Sequence, residues 1–192
     1  MSLEKSWKRI VAWYEANVGP GSFPLAPGAS RNEIEALEKV IGANLPDDFR
    51  NSMLLHNGGE LGCWIPWRNG YLLSLDQILR EWKMYNKTYQ QGGRESLCSP
   101  DSDYVPPNMK GPIKPIFWNP RRVPVTENGE RHLMLDLDPP AKGHYGQVIS
   151  FADEGPRAVV AASWADFLEG FANDLETGKL VYVDEEVQPS KH

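Results

Sequence analysis

Between Leu3 and Val18 the large apolar side chains fall at Leu3, Trp7, Ile10, Val11, Tyr14 and Val18, a spacing that lines one face of an α-helix. The stretch from Gly19 to Ala29 carries Pro20, Pro24 and Pro27 and cannot continue that helix, since proline has no amide proton to give and its ring crowds the preceding turn. Ser30-Arg-Asn-Glu33 then has the form of a capping box, predicting a second helix with Ile34, Leu37 and Ile41 inward and Gly42 as its stop. Pro46 suits a first helical position, and Asp47 and Asp48 suit the positive end of the helix dipole. A third helix is therefore expected to about His56, closed by Asn57-Gly58-Gly59, residues that tolerate positive φ. Cys63-Trp64-Ile65 and Leu72-Leu73 read as short extended pieces. Ser74-Leu-Asp-Gln77 is a second capping box, and Leu75, Ile78, Leu79, Trp82 and Tyr89 mark a fourth helix to about Gln90.

From Gln91 to Pro112 the sequence is rich in Gly, Pro, Ser and Asp without periodicity, which is long for a structureless connection and suggests a functional loop. Beyond it the pattern shifts to short β-branched and apolar runs. Ile113–Trp118, Val123–Thr126, Arg131–Leu137, Gln147–Phe151 and Ala158–Ala161 are predicted strands. Asn128-Gly129 predicts a hairpin with a two-residue type I′ turn, and Asp153-Glu-Gly-Pro156 a second connection. Ser163 opens a last helix with Trp164, Phe167, Leu168, Phe171 and Leu175 on one face and Gly178 at its end. Val181 and Val183 add an edge strand. The resulting class is α+β: one domain over residues 1–183, a central, mainly antiparallel sheet with helices packed at the N- and C-terminal ends, and a loose charged tail over 184–192.

With 41% hydrophobic residues in 192, the chain can bury a full core in one domain. Its 17 Gly, 16 Pro and seven Trp fit many turns around an aromatic interior. The balance of 20 basic and 26 acidic residues gives a net charge of −6, which excludes a general phosphate-backbone binder and makes a basic protein partner easier to accommodate than nucleic acid. Two cysteines, Cys63 and Cys98, form no CxxC pair or disulfide framework. Without an apolar leader or membrane-length run, a cytoplasmic protein is expected.

Candidate chemistry is sparse. Asp136 and Asp138 lie two apart, so on a strand both would share a face and could hold a hard cation or act in a hydrolase. They also end a strand and enter a turn, where Asp bonds backbone N–H groups. His56, His132, His144 and His192 show no zinc spacing, Ser74 and Ser163 are explained as caps, and Gly58-Gly59-x-x-Gly62 lacks the Lys-Ser/Thr of a phosphate loop. No metal, cofactor or catalytic residue is expected. Helical spacing sends Trp7, Trp82 and Trp164 to the core, leaving Trp64, Trp67 and Trp118 as candidate exposed anchors for a protein partner.

The order of motifs carries more than any one of them. Ser30-Arg-Asn-Glu-Ile34, Leu37-Glu38, Ile41-Gly42, Leu45-Pro46-Asp-Asp-Phe-Arg50 and His56-Asn57-Gly58-Gly59 together resemble the SUKH superfamily, in its Smi/Knr-type branch. Leu73-Ser-Leu-Asp-Gln-Ile78, Asp136-x-Asp-Pro139, Gly146-Gln-Val148 and Ser163-Trp-Ala-Asp-Phe-Leu168 extend the likeness over about Ser30 to Gly178. The resemblance implies a noncatalytic α+β domain, either an immunity protein that neutralises a toxin domain such as a nuclease, or a regulatory interaction module of cell-wall or signalling type. The expected reading is the first, with the regulator as alternative. The expected contact face is acidic and aromatic-edged, built from Trp64, Trp67, Asp101, Asp103, Asp136, Asp138, His144 and Tyr145.

Overall fold

A computed structural model describes residues 2–59, 70–90, 108–129, 131–152 and 155–190. Ser2 caps α1 (Leu3–Asn17), its side chain accepting from the Lys5 amide. The capping box of α2 (Arg31–Ile41) is formed in both directions: Ser30 N–H donates to Glu33 at 2.7 Å, and the Glu33 amide donates to Ser30 Oγ at 3.3 Å. Gly42 ends that helix at φ 71°. In α3 (Asp47–Leu55), Asp48 accepts from the Phe49 amide and also from the Ala165 amide at 2.8 Å, so the start of α3 caps the start of α5 (Trp164–Glu176). Ser163 Oγ accepts from the Asp166 amide at the same helix end.

Gly58 follows α3 at φ 77°, and a Cβ there would lie 2.6 Å from backbone atoms of Leu73 and Ser74. The turn thus needs glycine for both torsion and space. Its neighbour Asn57 accepts from the Leu75 amide at 2.9 Å and so helps to cap α4 (Leu75–Gln90), where the Ser74–Gln77 box is also formed. Before it lies β1 (Tyr71–Leu72), paired antiparallel with β3 (Thr126–Glu127).

The main sheet has the order β2–β4–β5–β6, all antiparallel, from β2 (Arg122–Pro124), β4 (Arg131–Asp136), β5 (Gln147–Ala152) and β6 (Ala158–Ala161). Val123 faces Leu135, Met134 faces Ile149 and Leu135 faces Val148. In the turn before β4, Gly129 has φ 87° while Asn128 stays at negative φ and accepts from the Arg131 amide, so the symmetric type I′ turn expected there is not formed. Against the sheet and each other pack the five helices found among the described residues: α1 on α3 and α5, α2 on α3 and α4, α4 on β2, and α5 on β5 and β6. The fold is a single α+β domain, and Trp7, Trp82 and Trp164 lie in its core.

Three expectations are corrected. The run Ile113–Trp118 forms no strand, because its carbonyls are claimed by two fully buried arginines. Arg122 donates to the carbonyls of Lys114 at 2.8 Å and Ile116 at 3.1 Å, and Arg157 to those of Ile116 at 2.7 Å and Phe117 at 2.9 Å. The Arg157 guanidinium also stands 4.2 Å from the centroid of the Phe151 ring, a favourable cation–π placement. Trp118 is no exposed anchor: it is buried, stacked on Tyr85 at 4.6 Å, with its indole N–H on Asn86 at 2.9 Å. The tail is not loose over 186–189 either. There β8 (Glu186–Pro189) pairs with β7 (Leu180–Val183) across a turn in which Asp184 and Glu185 both take positive φ.

Candidate partner-binding face

Trp64, Trp67, Asp101 and Asp103 lie outside the described residues, as do Cys63 and Cys98. The remaining four members of the expected face stand at one end of the β4–β5 pair, where Asp136 is the register partner of Gln147.

Asp136 does not reach the surface. It is 1% exposed, and its carboxylate accepts from the Asp138 amide at 3.2 Å and from Gln147 Nε2 at 3.1 Å. Burial pushes its carboxyl above the ordinary carboxylate range, opposed by the Arg122 charge and these two hydrogen bonds. The strand ends at Asp136 and the chain turns back, so the carboxyl serves as an internal turn acceptor and leaves the contact face. Asp138 stands outside, paired with Lys114 Nζ at 2.6 Å and Asn119 Nδ2 at 2.9 Å. Partial burial works against its ionised form, but those two hydrogen bonds and the charges of Lys114 and Arg121 prevail and hold its carboxyl below the ordinary range. The two carboxylates are thus sorted apart and present no common site. Among the described residues no group of three or more His, Cys, Asp or Glu is arranged to hold a metal ion.

His144 and Tyr145 are exposed on the connection into β5. The His144 amide donates to Gln147 Oε1 at 3.2 Å and its carbonyl accepts from the Gln147 amide at 3.0 Å, leaving the imidazole outward. Tyr145 is 53% exposed, and its hydroxyl donates to the Asn44 carbonyl at 2.5 Å. Burial raises its phenol above the ordinary value, with Arg121 opposing. Next to it Gly146, at φ 80°, sits against Pro46: a Cβ would meet Pro46 Cγ at 2.3 Å.

The 42–46 connection is held from two further sides. Glu38 accepts from the Leu45 amide at 2.7 Å and from Arg50 Nη1 at 2.5 Å, and Arg121 donates to the Gly42 carbonyl. Leu45-Pro46 and Gly146, far apart in sequence, are therefore two halves of one packed junction. Lys114 and Arg121 beside Asp138 make this end of the molecule mixed in charge, where an acidic face was expected. His132 is buried on β4 with Nδ1 2.9 Å from the Thr126 carbonyl, and His56 packs edge-on to Trp7, so both serve the interior.

Comparison with known proteins adds the context. The model of the SMI1 / KNR4 family (SUKH-1) matches residues 28–170. A glucan synthesis regulatory protein of Neurospora crassa is 29% identical over 98% of this chain and 41% of its own length. The cell wall assembly regulator SMI1 of Saccharomyces cerevisiae is 28% identical over 94% of this chain and 42% of its own. The cell wall biosynthesis/cell cycle regulator smi1 of Schizosaccharomyces pombe is 30% identical over 96% and 38%. The chain thus spans about two fifths of the length of these relatives. Helix α1 lies before the family match yet is built into the core, since Trp7 donates to Ser52 and Arg9 pairs with Glu176 of α5.

Proposed function

The chain belongs to the SMI1/KNR4 family (SUKH-1), and from that membership we propose that it is a noncatalytic regulator of cell-wall assembly that works by binding other proteins. The observation that carries this reading is the agreement of three relatives, each matching more than nine tenths of the chain and each named as a regulator of glucan synthesis or of the cell wall. The toxin-neutralising role expected from the resemblance has no support among them. One feature accords with binding in place of catalysis: the candidate carboxylates serve a turn and a surface ion pair.

On this reading Asp138, His144 and Tyr145 form one edge of the contact face, and Trp64, Trp67, Asp101 and Asp103 are its further members. Asp136 holds the turn beneath. On the same reading the protein acts in the cytoplasm, as its sequence leads one to expect. Affinity purification of the tagged protein from its native cell, with identification of bound proteins, tests this. Recovery of wall-synthesis or wall-signalling proteins is the expected result, and a stoichiometric complex with a small toxin domain would overturn it.

A further inference from the structure

Helix α4 presents two unlike faces. Leu75, Ile78, Trp82, Tyr85 and Asn86 are buried, with the Trp82 indole donating to the Pro120 carbonyl at 2.9 Å. On the opposite side Arg80, Lys83, Met84 and Lys87 are all exposed, with the exposed Asp76 one turn before Arg80 at the N-terminal end of the same face and Glu81 beside Arg80. Their spacing of three and four residues makes one continuous ridge, about 10 Å long at the rise of an α-helix. Met84 is 51% exposed and is the apolar centre of the ridge. Among the described residues none of the three cations makes an ion pair, although Lys8, Arg9, Arg50, Lys114 and Lys179 all do. Lys87 also complements the negative end of the helix dipole, but Arg80 and Lys83 are mid-helix, where that effect has faded.

Asp76 and Glu81 offset the charge of Arg80, but Lys83 and Lys87, in no ion pair among the described residues, repel each other one turn apart, on a chain of net charge −6. A flexible thioether flanked by cations is a surface that takes an apolar side chain while its rim pairs with carboxylates. Three charges on one short ridge are too few for a nucleic-acid footprint on an acidic protein, and the ridge carries no aromatic side chain for stacking on bases.

We propose that the outward face of α4 docks an acidic segment of a partner protein, carboxylates on Arg80, Lys83 and Lys87 and one apolar residue on Met84. The proposal rests on the reading of the chain as a protein-binding regulator and gives that reading a second surface, of opposite charge to the one expected from the sequence.

The test is fluorescence anisotropy with a labelled peptide of Glu-Glu-Leu repeats, alongside a Gln-Gln-Leu peptide, a single-stranded DNA and phosphatidylserine vesicles. Saturable binding of the acidic peptide is expected. The triple variant Arg80→Gln, Lys83→Gln, Lys87→Gln should weaken it about tenfold or more, mainly through association and most strongly at low salt. Met84→Ala should weaken it through dissociation. Removal of two exposed cations elsewhere, Arg31→Gln with Lys142→Gln, should leave it unchanged, and thermal melts confirm that each variant is folded. No saturable peptide binding, equal binding by the triple variant, or DNA or vesicle binding as tight as that of the peptide overturns the proposal. Recovery of native partners by the triple variant, at wild-type yield, overturns this docking face and leaves the regulator reading standing. Failure of the wild-type protein to recover any partner counts against that reading as well.

Discussion

Gly146 and Pro46 touch across a junction that joins the start of α3 to the start of β5, with no room for a Cβ between them. Gly146→Ala adds a methyl group there and places a non-glycine residue at φ 80°. The expected cost is about 2–4 kcal/mol of stability, from overpacking and left-handed strain together. In a Pro46→Ala background the clash is gone, so the cost of Gly146→Ala should fall to the ~1 kcal/mol of the torsion alone. Urea denaturation of the four proteins measures this coupling.

Two other glycines separate torsion from space. Gly42 has φ 71° with nothing within 4 Å of an added Cβ, whereas Gly58 has φ 77° with the Leu73–Ser74 backbone at 2.6 Å. Gly42→Ala should cost ~1 kcal/mol. Gly58→Ala should cost at least ~3 kcal/mol, because backbone atoms fixed by the Asn57–Leu75 cap cannot yield as a side chain can. Equal denaturation midpoints for the two variants would contradict this assignment.

Ser52 Oγ accepts from two buried indoles, Trp7 at 3.1 Å and Trp164 at 2.9 Å, and so ties α1 and α5 to α3. Ser52→Ala leaves both donors without their acceptor and should cost ~2–4 kcal/mol. Adding Trp7→Phe to Ser52→Ala removes one stranded donor, so the pair should be less destabilising than the sum of the singles. Chemical denaturation of the set measures it.

Much of this was legible in the sequence, and the failures share a cause. The caps at Ser30, Ser74 and Ser163, the helix stop at Gly42 and the inward stripes of α1, α2, α4 and α5 are local effects, set by residues within a turn of each other. The lost strand at Ile113–Trp118 was illegible because the arginines that take its carbonyls come from positions 122 and 157, and apolar alternation alone carries no record of a distant donor. Trp118 followed the same path into the core, drawn by Asn86 and Tyr85 of α4. The β7–β8 hairpin was missed because Asp184-Glu185 is not the Asn-Gly pair that signals such turns, although Tyr182 and Val187 face each other across it. In the contact face, the i and i+2 spacing of Asp136 and Asp138 suggested a shared side. The strand ends between them, and the turn sends one inward and one outward. The ridge on α4 was readable as cations spaced three and four apart, but only the structure shows that, among the described residues, none of them is in an ion pair.

The buried carboxyl of Asp136 sets a pH dependence. Burial raises its folded-state value above the ordinary 3.8, with Arg122 and the Asp138 and Gln147 hydrogen bonds opposing. The folded protein therefore holds this proton more tightly than the unfolded chain. The corresponding stability is fully present below pH 3.8 and is lost as pH rises through the raised folded value. Asp136→Asn cannot ionise, so the stability of wild type relative to this variant should fall as pH rises over that window and then level off. Asp138 has the opposite sign: its lowered value contributes stability above pH 3.8 that is lost as pH falls. If the stability of wild type relative to the Asp136→Asn variant instead rises with pH, the Arg122 charge and the hydrogen bonds to the carboxylate outweigh burial.

The regulatory role is tested most directly by the cell-wall glucan content of the native cell after removal of the gene. Altered glucan content is the expected result, restored by the wild-type chain and equally by Asp136→Asn, since no step of the role runs through that carboxylate. Unchanged glucan in the deleted strain, joined to a new sensitivity to a toxin domain, would contradict the regulator and return the family's immunity role to first place.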